Sequence, residues 1–459
     1  MEIKLKQVII NLVLPLICII AFSFLLGTNY YAYFIYLLLG FIFYLLTKFL
    51  GRETPFLFII PVLSIALALT GDFFLLDFYN NNELNPLKIH PFVLAWLVVF
   101  FLFFIENLLT KKIIFDKIFL LCILVLFSFF GVTFVVKGMD GLPLAIHNYL
   151  GPIAFFLFFY CKKQVNIKKV NKAVNVMICC SVLIGLLGIF EYFTEINIFQ
   201  ELYSTSNATW LESTYREGYR IKTIIGHPLD NAVFFLFSMI VVQMRVKDNK
   251  LKYTLLLLFV IDILLTGSRS IFVISFMVLL YNGQSFKDGS KKIKQYFITV
   301  CVMGIAFLLT FNTSLGSTLM SRVGNAGDST DARFMLIDYF IKHLFSFQMM
   351  GLGGASENIK IIGQFNTPII PENPWIILFF DVGYFILLYI LLLIFILCKI
   401  EHKLLVIIFI FALSGYNSFG VKNNANYFLF YLLTYGYILA REKKSAALLI
   451  KKESDVLRN

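Results

Sequence analysis

Apolar runs follow one another along most of this chain, each of about 17–25 residues and so long enough as a helix to cross a ~30 Å hydrocarbon layer. Only two long hydrophilic stretches, 191–228 and 312–372, break the series. In lipid every backbone polar group needs an internal partner, so such a chain folds as a bundle of membrane-crossing helices. The 14% share of charged residues is well below the roughly 25% of soluble domains, which excludes a soluble globular class. The expected fold is an all-α polytopic membrane protein, one transmembrane domain over 1–459.

Fourteen spans are expected: 8–26, 30–50, 56–72, 91–110, 118–136, 143–161, 173–190, 229–245, 252–266, 269–282, 295–312, 374–398, 404–418 and 425–440. Val8–Leu26 is long enough to be a span and lacks a small-residue cleavage site, so it reads as an anchor rather than a signal peptide. The net charge of +12 does not mark a nucleic-acid binder, because the charge is sided. With a cytoplasmic N-terminus and alternating spans, 28 of the 39 Lys and Arg fall on the inner side, the bias of an inserted protein. Both termini are then inside and both hydrophilic stretches emerge outside. The tail from Arg441 reads as a basic segment lying on the membrane surface. The abundance of Phe, Ile, Lys and Asn fits AT-rich coding and so a low-GC bacterium.

All seven cysteines lie in spans or at their edges, and there is neither a C-x-x-C pair nor a His-rich cluster. Neither a disulfide framework nor a metal centre is therefore expected. No internal repeat is visible. The outer stretches concentrate the chemistry. The first ends in Arg220-Ile221-Lys222-Thr223-Ile224-Ile225-Gly226-His227-Pro228, with Arg216 just before it. An arginine presents a planar fork of donors matched to phosphate oxygens and stays charged at any relevant pH. Arg269, in the turn Gly267-Ser268-Arg269-Ser270, sits between two apolar runs. Its charge must reach the interface or a cavity, where an intramembrane ionisable group marks a functional site. Asp262 lies two turns earlier and offers it a partner. The second stretch carries Arg333, in a segment with the pattern of an amphipathic surface helix around 332–343, then Gly351-Leu352-Gly353-Gly354 and Glu372-Asn373-Pro374-Trp375. Glu372, at the mouth of a span, is either a helix cap or a general base acting on a sugar hydroxyl. His227 and His343 are rival bases.

The order of these pieces resembles the O-antigen ligase/polymerase superfamily, the Wzy-type polysaccharide polymerases and their lipopolysaccharide-ligase relatives, over roughly Arg216 to Tyr384. The resemblance implies a membrane glycosyltransferase of the GT-C type, joining undecaprenyl-pyrophosphate-linked oligosaccharides on the outer face of a bacterial cytoplasmic membrane. It implies no metal, no cofactor and no nucleic acid, with membrane lipids and a chain-length regulator as further partners. Arg220 and Arg269 would hold the departing pyrophosphate, Glu372 would act as base, and Arg216, His227, Arg333 and Asn373 would bind substrate. This chain departs from the family pattern in having Glu372 where His is usual, Thr223 where Gly is common and Leu229 where Asn is common. Two alternatives stay open: ligase-type transfer to another acceptor, and a lipid-oligosaccharide flippase in which Asp262 and Asp381 couple ions or gate.

Overall fold

The computed structural model of the chain describes residues 97, 100–102, 104–105, 116–161, 165–198, 219–225, 228–281, 327–359, 361–362, 368–369, 373–414 and 424–458; for 327–334, 357, 361–362, 368–369, 424 and 449–458 this means the backbone alone. The expected spans 8–26, 30–50, 56–72 and 295–312 lie outside the described residues, and of 91–110 only six residues are included.

The described chain is mostly helical. Helices α1 (Lys117–Lys137), α2 (Leu142–Ala145), α3 (Gly151–Cys161) and α4 (Ile167–Thr194) are followed by α5 (Pro228–Arg245), α6 (Asn249–Leu265) and α7 (Arg269–Leu280). Then come α8 (Gly327–His343), α9 (Gly354–Asn358), α10 (Pro374–Val382), α11 (Ile386–Leu397), α12 (Lys403–Ser414) and α13 (Asn424–Arg458). The sheet among the described residues is one antiparallel pair of two-residue strands, β1 (Ile361–Ile362) and β2 (Pro368–Ile369), with Ile361 opposite Ile369.

Among the described residues three helical stretches are long and apolar enough to cross a membrane: Lys117–Cys161, Ile167–Thr194 and Pro374–Leu397. The first holds 45 residues, about 67 Å of straight helix and twice the thickness of a hydrocarbon core. It folds back on itself instead. Gly138 leaves the helical region with φ 62°, and the Tyr160 hydroxyl donates to the Asp116 carboxylate at the start of α1. The turn passes through a π-helical segment, Ile146–Leu150. Its cause is local. Pro152 has no N–H to donate to the Asn148 carbonyl, and the Asn426 side-chain amide takes that oxygen at 2.8 Å.

Around this hairpin the helices pack as a bundle. The central member is α5, of whose 18 residues Asn231 and most apolar side chains are buried; it touches α4, α6, α7, α12 and α13. Phe237 stacks on Phe428 of α13 at 4.7 Å, and Phe129, Tyr149 and Tyr389 join α1, the π segment and α11 edge to face. The outward faces of the bundle are apolar too: Phe127 and Phe193 are each 78% exposed and Val135 82%. Helices hydrophobic all round suit a lipid solvent rather than water.

Charged ties gather at the ends that the charge pattern places in the cytoplasm. Lys399 reaches Asp116 at 3.5 Å, Lys443 pairs with Glu401 at 2.9 Å, and Tyr281 meets His402 at 3.0 Å. The tail from Arg441 continues the last helix: α13 runs unbroken for 35 residues to Arg458, about 52 Å. Nothing between Tyr437 and Arg458 is Gly or Pro, and Ala, Leu, Lys and Glu are strong helix formers.

Candidate functional site

Helix α6 ends at Leu265, where Gly267 (φ 69°) reverses the chain in the left-handed conformation that glycine takes without strain. Its last carbonyls have no intrahelical donors. The segment 219–223 runs across them and supplies two. Ile221 N donates to Leu265 O at 3.2 Å, and Arg220 Nε donates to Thr266 O at 2.6 Å. The Arg220 side chain lies so close over Gly267 that a Cβ there would stand 3.1 Å from Nε. Arg269 opens α7 two residues later, exposed, with no ion-pair partner among the described residues. Arginines from two distant segments are thus brought to one turn.

The segment 219–223 is itself clamped from below. Glu191, in the last turn of α4 and only 3% exposed, accepts from Lys222 N at 2.8 Å, Thr223 N at 2.7 Å and the Tyr219 hydroxyl at 2.9 Å. Asn231 of α5 donates to Lys222 O at 2.5 Å and accepts from Thr223 Oγ1 at 2.6 Å, while Asn197 donates to Thr223 O at 3.2 Å. Thr223 is left-handed, with φ 47°, a genuine outlier for a β-branched residue. Glycine would take that conformation without strain; here the bonds of Thr223 hold the strained backbone.

Lys222 is buried beside Arg220 and Glu191. Burial pulls the Lys222 ammonium down to about 8, with Arg220 adding to the fall and Glu191 opposing it. A third cation therefore belongs to the cluster.

Asp262 does not pair with Arg269. Its carboxyl is fully buried, neither oxygen has a hydrogen-bond partner among the described residues, and it packs on Gly185 and Gly188 of α4. The same Gly188 touches Ile221 and Thr223, so the carboxyl lies directly beneath the clamped segment.

A pocket of about 560 Å³ opens beside Arg269, lined by Ser270, Val273 and Ile274 of α7 and by Phe411 and Ser414 of α12. Ser414 also accepts from Trp375 Nε1 at 2.8 Å, which ties the start of α10, and so the end of the second hydrophilic stretch, to the pocket. Asn373 caps α10: its Oδ1 accepts from Trp375 N and Ile376 N at 3.1 and 3.2 Å. The cap of α10 is therefore Asn373 rather than Glu372, and Oδ1 of Asn373 is engaged by the helix it caps.

The glycine-rich turn of the second stretch is held in the same manner as the first. Asp381, buried in α10, accepts from Gly353 N at 2.9 Å and Ala355 N at 2.8 Å, and Thr133 takes Leu352 N at 3.2 Å. Arg333 lies on α8, described by its backbone alone. His343, the rival base on the same helix, stacks on Tyr339 at 4.1 Å and engages its carbonyl through Nδ1 at 2.9 Å. Arg216, His227 and Glu372 lie outside the described residues.

Glu191 and Asn231 are members of this cluster that sequence reasoning left out of the site. Two signals pointed to them: a carboxylate at the C-terminal end of a helix, against the helix dipole, and a polar residue one turn into an apolar span. Among the described residues no three His, Cys, Asp or Glu side chains converge as a metal site. Comparison with family models, curated proteins and solved structures gives no match.

Proposed function

We propose that the chain is a fourteen-span membrane glycosyltransferase of the GT-C type that polymerises a bacterial surface polysaccharide. It would join undecaprenyl-pyrophosphate-linked oligosaccharides at the outer face of the cytoplasmic membrane. The observation that carries the reading is the convergence of Arg220, Arg269 and, through Trp375 and Ser414, the start of α10 on one turn and one pocket. Those belong to three of the motifs that carry the resemblance, beside Arg333 and Gly351-Leu352-Gly353.

In this reading the acceptor hydroxyl attacks the anomeric carbon of the donor. The bond from that carbon to the pyrophosphate breaks, and the electron pair leaves with the pyrophosphate. Arg220 and Arg269, with Lys222 beside them, stabilise the growing negative charge, the kind of preorganised electrostatics that contributes several kcal/mol in comparable sites. Val273, Ile274 and Phe411 offer an apolar wall next to Arg269 for the first units of the polyprenyl tail. Glu372, adjacent to the capping Asn373, takes the acceptor proton. Arg216, His227 and Arg333 serve the glycan, ligase-type transfer uses the same chemistry with another acceptor, and a chain-length regulator would act on the outer loops.

A second reading, a lipid-oligosaccharide flippase, is favoured by one observation, the buried Asp262, whose carboxyl has no partner among the described residues. Asp381 does not support it, because both of its oxygens are engaged by the glycine-rich turn. Detergent solution separates the two. Without two compartments a flippase has nothing to move between, whereas a polymerase lengthens lipid-linked repeat units into a ladder of products. Absence of any ladder from pure, folded protein supplied with its repeat unit would overturn the polymerase reading.

A further inference from the structure

Glu191 is an unexpected residue where it stands. It occupies the last turn of α4, where the helix dipole disfavours a negative charge, and it is buried, where an unpaired carboxylate is costly. Both penalties are opposed chiefly by the segment 219–223, with the Asn197 side chain adding a further hydrogen bond. Two consecutive main-chain N–H groups, of Lys222 and Thr223, and the Tyr219 hydroxyl converge on its two oxygens. Successive backbone N–H groups make a concavity that fits an anion, and here the anion is a side chain of the protein. The chain leaves the clamp at Thr223 in a left-handed conformation, a strain that persists only where the surroundings over-determine it.

Arg220 lies between the Tyr219 and Lys222 anchors. Its Nε is spent on Thr266 O, which fixes the plane of the guanidinium relative to the turn that carries Arg269. The register of that contact depends on where the backbone of 219–223 sits; Asn231 and Asn197 hold its far end, and Glu191 is the group that binds on both sides of Arg220, at Tyr219 and Lys222.

We propose that Glu191 is a positioning residue for Arg220: by binding the backbone of 219–223 it sets the guanidinium over the Thr266–Arg269 turn, and so fixes the spacing of the two arginines for a pyrophosphate. The proposal rests on the pyrophosphate reading of the site. It goes further in naming a buried carboxylate as a determinant of anion affinity, although its own charge would repel the ligand. A displacement of about 1 Å in such a group can cost about 100-fold in rate, so the effect is large enough to measure.

The test is a double-mutant cycle on the purified full-length chain in detergent, with farnesyl pyrophosphate as the probe. Glu191→Gln keeps the size but replaces one acceptor oxygen by a donor; it is expected to weaken binding on the order of tenfold or more, the scale seen for outer-shell partners of bound groups. In an Arg220→Lys background, which lacks the Nε contact, the same substitution is expected to change binding by less than about twofold, the scatter of independent sites. In an Arg269→Lys background it keeps its full effect. Tyr219→Phe removes one clamp bond with little risk to folding and is expected to show the same pattern at smaller size. If Glu191→Gln weakens binding equally in the wild-type and Arg220→Lys backgrounds, Glu191 acts through general structure and the positioning role is overturned. If Arg220→Ala binds the probe as the wild type does, the pyrophosphate reading itself fails, and the proposal fails with it.

Discussion

Substituting Gly185 by alanine probes the packing that supports the site and needs no assumption about catalysis. A methyl group at 185 overlaps Asp262 Oδ2 and stands 3.2 Å from its Cγ and 3.6 Å from Oδ1. The carboxyl is fully buried between α4 and α6, so it has nowhere to swing and the helices must part. Overpacking of this kind costs about 1–3 kcal/mol. The assay is thermal unfolding in detergent, compared across a small series. Gly185→Ala is expected to lower Tm by a few degrees, using about 2–4 °C per kcal/mol for large domains. Asp262→Ala deletes the obstructing atoms, so the double variant is expected to recover most of the loss relative to Asp262→Ala alone. Asp262→Asn keeps the obstruction and is expected to rescue nothing. Additive losses in Gly185→Ala/Asp262→Ala, or an unchanged Tm for Gly185→Ala, would refute the account of the interface.

Three further outcomes are expected. Affinity for a polyprenyl pyrophosphate falls as pH rises through about 8, because Lys222 carries its proton below that value and loses it above; Lys222→Gln removes this step, and a flat profile in the wild type removes Lys222 from the site. Glu372→Gln lowers polymerisation by about 10²–10⁴-fold, the usual cost of losing a general base, while Glu372→His retains more activity; normal turnover in Glu372→Gln with a dead His227→Ala moves the base to the first outer stretch. An impermeant thiol label on intact cells reaches cysteines placed in 200–215 or 355–365 and spares those at Lys163–Lys168, and the reverse pattern places the site on the wrong side of the membrane.

The helical nature and rough limits of the apolar segments were legible because burial in lipid imposes run length, and α5 to α7 lie within a few residues of their expected bounds. Arg220 and Arg269 were legible for a related reason: a charge beside apolar runs needs a purpose. What joins them was not. The Arg220–Thr266 bond spans 46 positions and the Glu191–Lys222 bond 31, and no local pattern encodes contacts at that range. Thr223 hid its left-handed backbone because β-branched residues almost never adopt it. The capping role of Asn373 was missed although the signal was present: Asn followed by Pro is the usual opening of a helix, with the Asn as cap. Asp262 illustrates the opposite error, since a spacing of seven residues placed it near Arg269 on paper while its carboxyl packs against α4.

The most direct test of the central claim is the rate at which purified protein polymerises an undecaprenyl-pyrophosphate-linked repeat unit, compared among the wild type, Arg220→Ala, Arg269→Ala and the double variant. Two arginines acting on one pyrophosphate predict that each single substitution loses nearly as much rate as both together, as for groups that act as a unit, with lysine a poor substitute at either place. Wild-type rates in both single variants, or losses that simply multiply, would contradict a shared pyrophosphate site at the Thr266–Arg269 turn.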